Sequence, residues 1–249
     1  MAEPILEAAG LNKAFGALQA TRDVSFAVEA GRIHALIGPN GAGKTTLVNQ
    51  LTGDILPDSG RIFFRSRDVT RLKVHQRARL GMARSFQITH IFENLTVAEN
   101  MALSICARQG HNFRFWQDAS KSRVVRERLP EALATVDLDR SGHVPAGALS
   151  HGEKRQLEVG MALTGEPELL ILDEPMAGLG PGGTVELSKL IRRLKGSLSI
   201  LLVEHDMDVV FSLADRITVL DYGESLLTGS PEEVRQDARV QSAYLGDGA

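Results

Sequence analysis

The chain has 249 residues, 43% hydrophobic and 24% charged, with a formal net charge of -3 and one cysteine. That length supports one large α/β domain, or a domain with an inserted subdomain, without a disulfide or metal staple. The charge balance excludes a general attraction to nucleic acid, and the lone Cys106 excludes an intrachain disulfide framework and suits a reducing compartment.

The first ten residues, MAEPILEAAG, lack a basic segment followed by an apolar run, so no secretory signal is expected. No apolar stretch approaches the roughly 20 residues that span a bilayer. A soluble chain is expected, one that reaches a membrane only through a partner.

Short β-like runs come first, Val24 to Val28 and Ile33 to Ile37, each closed by glycine. Thr45 to Leu51 has helical spacing and ends at Gly53, a C-cap residue. "GRIFFRSRDV" then predicts another strand after the Pro57/Gly60 turn. From Ile88 to Ala148 the pattern is helical with no buried strand, which reads as an insertion.

Beyond the insertion, "ELLILDEP" and "LSILLVEHD" are continuous Leu/Ile/Val runs, as strands buried on both faces of a parallel sheet require. Val185 to Leu194 between them is helical, completing a β-α-β unit. "DRITVLDYGESLLTG" predicts a hairpin turning at Tyr222-Gly223, and Ser230-Pro231-Glu232-Glu233 opens a final helix with a capping box. Only the closing "GDGA" reads as disordered.

The stretch "GPNGAGKTT" fits G-x-x-x-x-G-K-[ST] between a predicted strand and a predicted helix, the context that phosphate loop needs. The loop of Gly38, Pro39, Asn40, Gly41, Ala42 and Gly43 wraps the phosphates, its glycines letting backbone amides approach them. Lys44 reaches the β and γ oxygens, and Thr45, followed by Thr46, offers a hydroxyl to Mg²⁺. "LLILDEP" places Asp173 and Glu174 at the exit of a buried strand, where two carboxylates are costly unless a cation or water meets them. Asp173 suits the Mg²⁺ shell, and Glu174 suits an attacking water as base or orienter.

His205 follows the "SILLV" strand and shares that sheet edge. Gln87, where the sheet region gives way to the insertion, offers a neutral amide oxygen to Mg²⁺ or water, although spacing alone favours an ordinary polar loop residue. In "LSHGEKRQLEVG", Ser150 and Glu153 form a capping box, while Gly152 leaves bare amides at the positive end of a helix, a geometry suited to phosphate.

Taken in chain order, the motifs resemble those of the nucleotide-binding subunits of ATP-binding cassette (ABC) transporters, nearly end to end. The resemblance identifies Gly38 to Thr45 as Walker A, Gln87 as the Q-loop glutamine and Leu149 to Glu153 as the signature. Leu169 to Asp173 becomes Walker B, Glu174 the catalytic glutamate and His205 the switch histidine. It also implies that adenine stacks on Phe15, and that Ser150 and the Gly152 amide act on ATP bound by a second nucleotide-binding subunit, in a homodimer or heterodimer.

The fold it implies is the P-loop ABC ATPase α/β fold, with a mainly parallel core, an antiparallel N-terminal β subdomain and an inserted helical subdomain. On that reading 1-87 and 152-249 form the catalytic core of a single nucleotide-binding domain, and 88-151 the helical part with the signature at its end. ATP and Mg²⁺ are the implied cofactors. The implied partners are transmembrane permeases and, indirectly, a solute-binding protein, with no nucleic acid. The implied location is cytoplasmic, peripheral on the inner face of the membrane.

Softer features, "ARSFQ…IFENLTVAENM", "HNFRFW", "EPMAGL" and "AYLG", are similar to the subset that energises uptake of branched-chain amino acids and related amides, with lipopolysaccharide export as the alternative. Phe113, Phe115 and Trp116 suit either a permease-docking groove or the insertion's own small core. The basic run Lys121, Arg123, Arg126 and Arg128 reads as a solvated helix face. Two departures stand out: the signature is LSHGE rather than LSGGQ, with His151 added, and Gly180 occupies the position of an Asp or Asn that contacts the dimer partner. The second bears on coupling between ATP sites more than on hydrolysis.

Overall fold

The computed structural model describes residues 3–85, 91–108 and 122–245; Gln87, Phe113, Phe115, Trp116, Lys121 and the tail 246–249 lie outside them. Backbone contacts form two compact units, Met1–Met82 with Glu168–Glu174 and Leu194–Ala249, and Ala83–Pro167 with Pro175–Arg193. This partition differs from the expected division at 88-151, because the helices that precede and follow the Leu169–Asp173 strand group with the insertion.

In the first unit, β1 (Pro4–Phe15), β2 (Leu18–Glu29), β4 (Ser59–Phe64) and β5 (Arg67–Asp68) make an antiparallel sheet in the order β2-β1-β4-β5. Val24, Phe26 and Val28 alternate with exposed neighbours, so β2 shows the period of two that a half-buried strand demands. The predicted strand 24–28 is only the buried end of β2, and β1 is unanticipated, because its small residues Ala8, Ala9 and Gly10 dilute its alternation. "GRIFFRSRDV" splits in two because Arg65 and Ser66 turn with φ of 50° and 59°.

The second sheet of this unit carries β3 (Ile33–Ile37), β7 (Leu169–Asp173) and β8 (Ser199–Val203), each buried at every residue, as their unbroken apolar runs predict. Its order includes β10-β9-β3-β8-β7, with β9 (Arg216–Asp221) and β10 (Glu224–Gly229) forming the predicted hairpin. Tyr222 and Gly223 both take positive φ, 43° and 81°, as a two-residue turn of this hand requires. Near Gly81, whose carbonyl accepts the amides of Glu168 and Leu169, β6 (Met82–Ser85) begins. Leu36, Leu47, Leu51, Leu169 and Val203 join Leu6, Leu11 and Phe64 in one core.

Helix α1 (Lys44–Thr52) follows β3 and ends at Gly53 in the left-handed conformation, φ 87°, as expected. Arg77, in α2 (Val74–Arg79), is buried and closes α1: its guanidinium donates to the carbonyls of Gln50 and Leu51, at 2.8 and 2.5 Å, and to those of Thr70 and Leu72. A cation at a helix C-terminus meets the orphan carbonyls and the negative end of the dipole. The chain closes with α7 (Met207–Leu213), α8 (Pro231–Gln236), which carries the expected Ser230/Glu233 capping box, and α9 (Ala238–Leu245).

The second unit is helical: α3 (Val97–Arg108), α4 (Arg123–Thr135), α5 (His151–Leu163) and α6 (Pro181–Leu194). Gly160 permits the close approach of α5 to its neighbours, because a Cβ there would stand 2.6 Å from the end of Met101. Among the described residues no helix is long and apolar enough to cross a membrane.

In β3 lies a pH-sensitive group. The His34 ring is buried, bonded through Nε2 to the Thr218 hydroxyl at 2.8 Å, with Nδ1 unpaired. Burial, reinforced by the charge of Arg216, pushes its pKa down to about 4. The unfolded chain takes up a proton near the ordinary value of 6.5. The folded chain refuses it until about 4, so stability is fully present above 6.5 and is lost as pH falls through this window. The gap corresponds to about 3 kcal/mol. A non-titrating His34→Asn variant is expected to lose less stability than the parent, by that amount, between pH 7 and pH 4. Urea unfolding at the two values checks it, and equal losses in both proteins count against it.

Candidate functional site

The loop 38–43 leaves β3 and enters α1, and its shape is imposed by strands around it. A Cβ on Gly38 would meet the Leu220 carbonyl oxygen at 2.2 Å, and one on Gly43 the Ala20 carbonyl oxygen at 2.2 Å, both at positive φ. Only glycine fits either place. The turn at Gly223 donates to the Ala42 carbonyl at 3.1 Å and accepts from Arg22 at 2.7 Å, bracing the loop from the hairpin side. Gly43 is the N-cap of α1 and supplies no side chain, and no acidic residue stands in the first turn. The first amides of α1 thus lack a side-chain cap, the condition for holding an anion.

Lys44 is buried, and its Nζ donates to the carbonyls of Gly38 at 2.6 Å and Pro39 at 3.0 Å. Burial lowers its pKa, and the nearby charges of Glu174 and Asp173 partly restore it. Lys44, Asp173 and Glu174, predicted from separate motifs, therefore share one electrostatic neighbourhood. Thr45 is exposed at the helix start.

Asp173 is 3% exposed at the end of β7, paired in register with Val203. Glu174 is half-buried, donates its amide to the Val203 carbonyl at 2.9 Å, and takes φ 46°, a left-handed conformation rare for such a side chain. A strained residue at a strand exit belongs to the class that marks functional sites. His205 follows β8, its side chain 60% exposed. Phe15 ends β1, 48% exposed, with the Lys13 Nζ 5.5 Å from its ring centroid.

Glu204 was not anticipated. It is 0% exposed, and its Oε2 accepts the amide of His205 at 3.1 Å. The signal was present, since "ILLVEHD" ends an apolar strand on a carboxylate just as "LLILDEP" does. Tyr244, from "AYLG", packs against the cluster holding Ile37. Burial pushes its phenol up to about 12.

In the second unit, Ser150 caps α5 as predicted: its Oγ accepts the Glu153 amide at 3.3 Å, and the Glu153 carboxylate accepts the Ser150 amide at 2.9 Å and hydroxyl at 2.7 Å. A Cβ on Gly152 would stand 3.2 Å from the Cα of Gly183 in α6, so close packing is a second reason for glycine there.

Gly180 differs from the loop glycines, since it lies outside the left-handed region and a Cβ there meets nothing within 4 Å. Its carbonyl accepts the Thr184 amide, which makes it the cap position of α6. A Gly180→Asp variant is therefore expected to fold with a melting temperature equal to the parent's or raised by a few degrees, as a carboxylate joins the helix start. A fall of several degrees in a thermal scan would contradict this.

The sequence pattern of the family described as ABC transporter matches residues 21–177, and that of the Branched-chain amino acid ATP-binding cassette transporter matches residues 226–249. The chain is 40% identical to the high-affinity branched-chain amino acid transport ATP-binding protein LivG of Salmonella typhimurium, over 99% of this chain and 100% of that protein. It is 34% identical to the lipopolysaccharide export system ATP-binding protein LptB of Acidithiobacillus ferridurans, over 98% of this chain and 97% of that one. Among solved structures, the ADP conformation of MJ1267, an ATP-binding cassette of an ABC transporter, superposes with a TM-score of 0.89 at 29% identity, covering 98% of this chain and 99% of that one.

Proposed function

This chain belongs to the family of ATP-binding subunits of ABC transporters, and from that membership we propose that it energises an importer of branched-chain amino acids or related small amides. ATP hydrolysis by a transporter subunit and association with permease components follow from the family. The observation that carries the solute class is the likeness to LivG along 99% of the chain, supported by the branched-chain pattern at residues 226–249.

At the site, the loop 38–43 and the first amides of α1 hold the phosphates of ATP, Lys44 exchanges its carbonyl partners for phosphate oxygens, and Phe15 stacks on adenine. Thr45 and Asp173 would hold a Mg²⁺ ion that keeps several oxygens of water and substrate, with Gln87 added on the family resemblance alone. When bound, Mg²⁺ would neutralise charge on the phosphates. Glu174 orients the attacking water and accepts its proton, while His205, on the same sheet edge, contacts the γ-phosphate.

Ser150 and the Gly152 amide of one subunit complete the ATP site of another. Each chain carries both halves, so a two-fold or pseudo-two-fold dimer follows. The subunit sits on the cytoplasmic face of the membrane through its permeases, which choose the solute together with a solute-binding protein.

Affinity purification from detergent-extracted membranes tests this reading. Two multi-span permeases and a solute-binding protein are expected to accompany the chain. Recovery of lipopolysaccharide export components instead would favour the role named for LptB and overturn the proposed solute class.

A further inference from the structure

We infer that Asp58 is a positioning residue for Phe15, its two carboxylate oxygens clasping the chain and the lysine beside that ring at the tip of the β1–β2 hairpin. The inference rests on the reading of Phe15 as the platform for adenine. Sheet pairing alone holds this tip poorly. Phe15 and Leu18 are the last partners of β1 and β2, and the register shifts between Leu11 and Lys13 and again between Lys13 and Ala14. On the other side of β1, pairing with β4 ends at Asn12 and Ser59, so Lys13, Ala14 and Phe15 run on without that neighbour. Irregularities of this kind re-aim a strand end, and the new direction needs a fixing contact.

Asp58, the residue before β4, supplies it. Its amide donates to the Asn12 carbonyl at 2.8 Å, which pins its own backbone to β1. Its Oδ2 accepts the Ala14 amide at 2.8 Å, and its Oδ1 accepts from the Lys13 Nζ at 2.7 Å. The bond from Lys13, and after it the bond from the Ala14 amide, hold this carboxyl below its ordinary pKa. The Lys13 side chain is only 17% exposed, and its ammonium stands 5.5 Å from the Phe15 ring centroid, within cation–π reach. One carboxylate therefore reaches Phe15 by two routes, through the chain at Ala14 and through the cation at the ring. An ion pair half open to solvent adds little to stability. Its consequence is where the ring stands.

Phosphate release and titration with a fluorescent ATP analogue test this in four proteins: the parent, Asp58→Ala, Phe15→Ala and the double variant. Asp58→Ala is expected to melt within a few degrees of the parent, to raise KM for ATP roughly 3- to 10-fold and to keep kcat within about twofold. Inorganic tripolyphosphate, which has no base to stack, is expected to compete equally well in both. In the Phe15→Ala background the same substitution should weaken ATP no further, because residues that act through one contact do not add.

An unchanged KM, a kcat that falls at constant KM, weakened tripolyphosphate, or a full second loss in the double variant would each overturn the inference. Should Asp58→Ala fail to fold, Asp58→Asn, which keeps an oxygen for the Ala14 amide but no charge for Lys13, takes its place under the same criteria. A Phe15→Ala variant that binds ATP as the parent does would defeat the stacking role in the proposed function, and the inference with it. A weakened Phe15→Ala beside an unaffected Asp58→Ala defeats the positioning alone.

Discussion

A Glu174→Gln variant is expected to bind ATP as the parent does, to turn it over roughly 100- to 10,000-fold more slowly, and to accumulate as a dimer. The amide keeps the size of the carboxylate, so the half-buried position at the end of β7 accepts it, and the bond from its backbone to Val203 is unaffected. What is lost is the acceptor for the proton of the attacking water. Removing one negative charge beside the phosphates also relieves repulsion in the ATP state. ATP shifts two subunits toward closure only by contacting the closed form better, and without hydrolysis that shift is not reversed. Light scattering with saturating Mg·ATP should report twice the monomer mass, and a persistent monomer would defeat the proposed shared-site dimer.

The opposite signature is expected of Lys44→Ala. Hydrogen bonds to charged groups contribute about 1.5–3 kcal/mol, so removing the ammonium should weaken ATP roughly 10- to 100-fold. The loss is aggravated because Asp173 and Glu174, whose charges act on Lys44, then face the phosphates without a buried cation between. Turnover falls with binding, and no dimer accumulates. The fold is expected to survive, because the loop is braced by Ala20, Leu220 and Gly223 rather than by the lysine. Titration with a fluorescent ATP analogue measures the affinity, and unchanged affinity would remove Lys44 from the site. Together the two variants separate binding from chemistry.

The site was legible where one residue type is chemically forced. Gly38, Gly43 and Lys44 follow from a loop that must expose amides and one cation, and the structure adds steric reasons that no spacing reveals, two carbonyls 2.2 Å from any added Cβ. The strands β3, β7 and β8 were legible because burial on both faces leaves unbroken apolar runs. By contrast β1 went unread because small residues interrupt its alternation, and α2 because Arg77, a residue expected outside, is the one turned inward. The grouping of α5 and α6 was also illegible, since both follow the β-α-β rhythm in sequence yet fall in the unit that holds α3 and α4. Glu204 was missed although the strand before it ends on a carboxylate whose burial carries the same cost as at the end of β7.

The left-handed backbone of Glu174 sets heat resistance against activity. An L side chain in that region costs about 1 kcal/mol that glycine does not bear. Selection for thermal tolerance alone should therefore enrich glycine at this codon and return robust, inert protein. Any library built to harden the subunit has to hold position 174 fixed and look for its gains elsewhere.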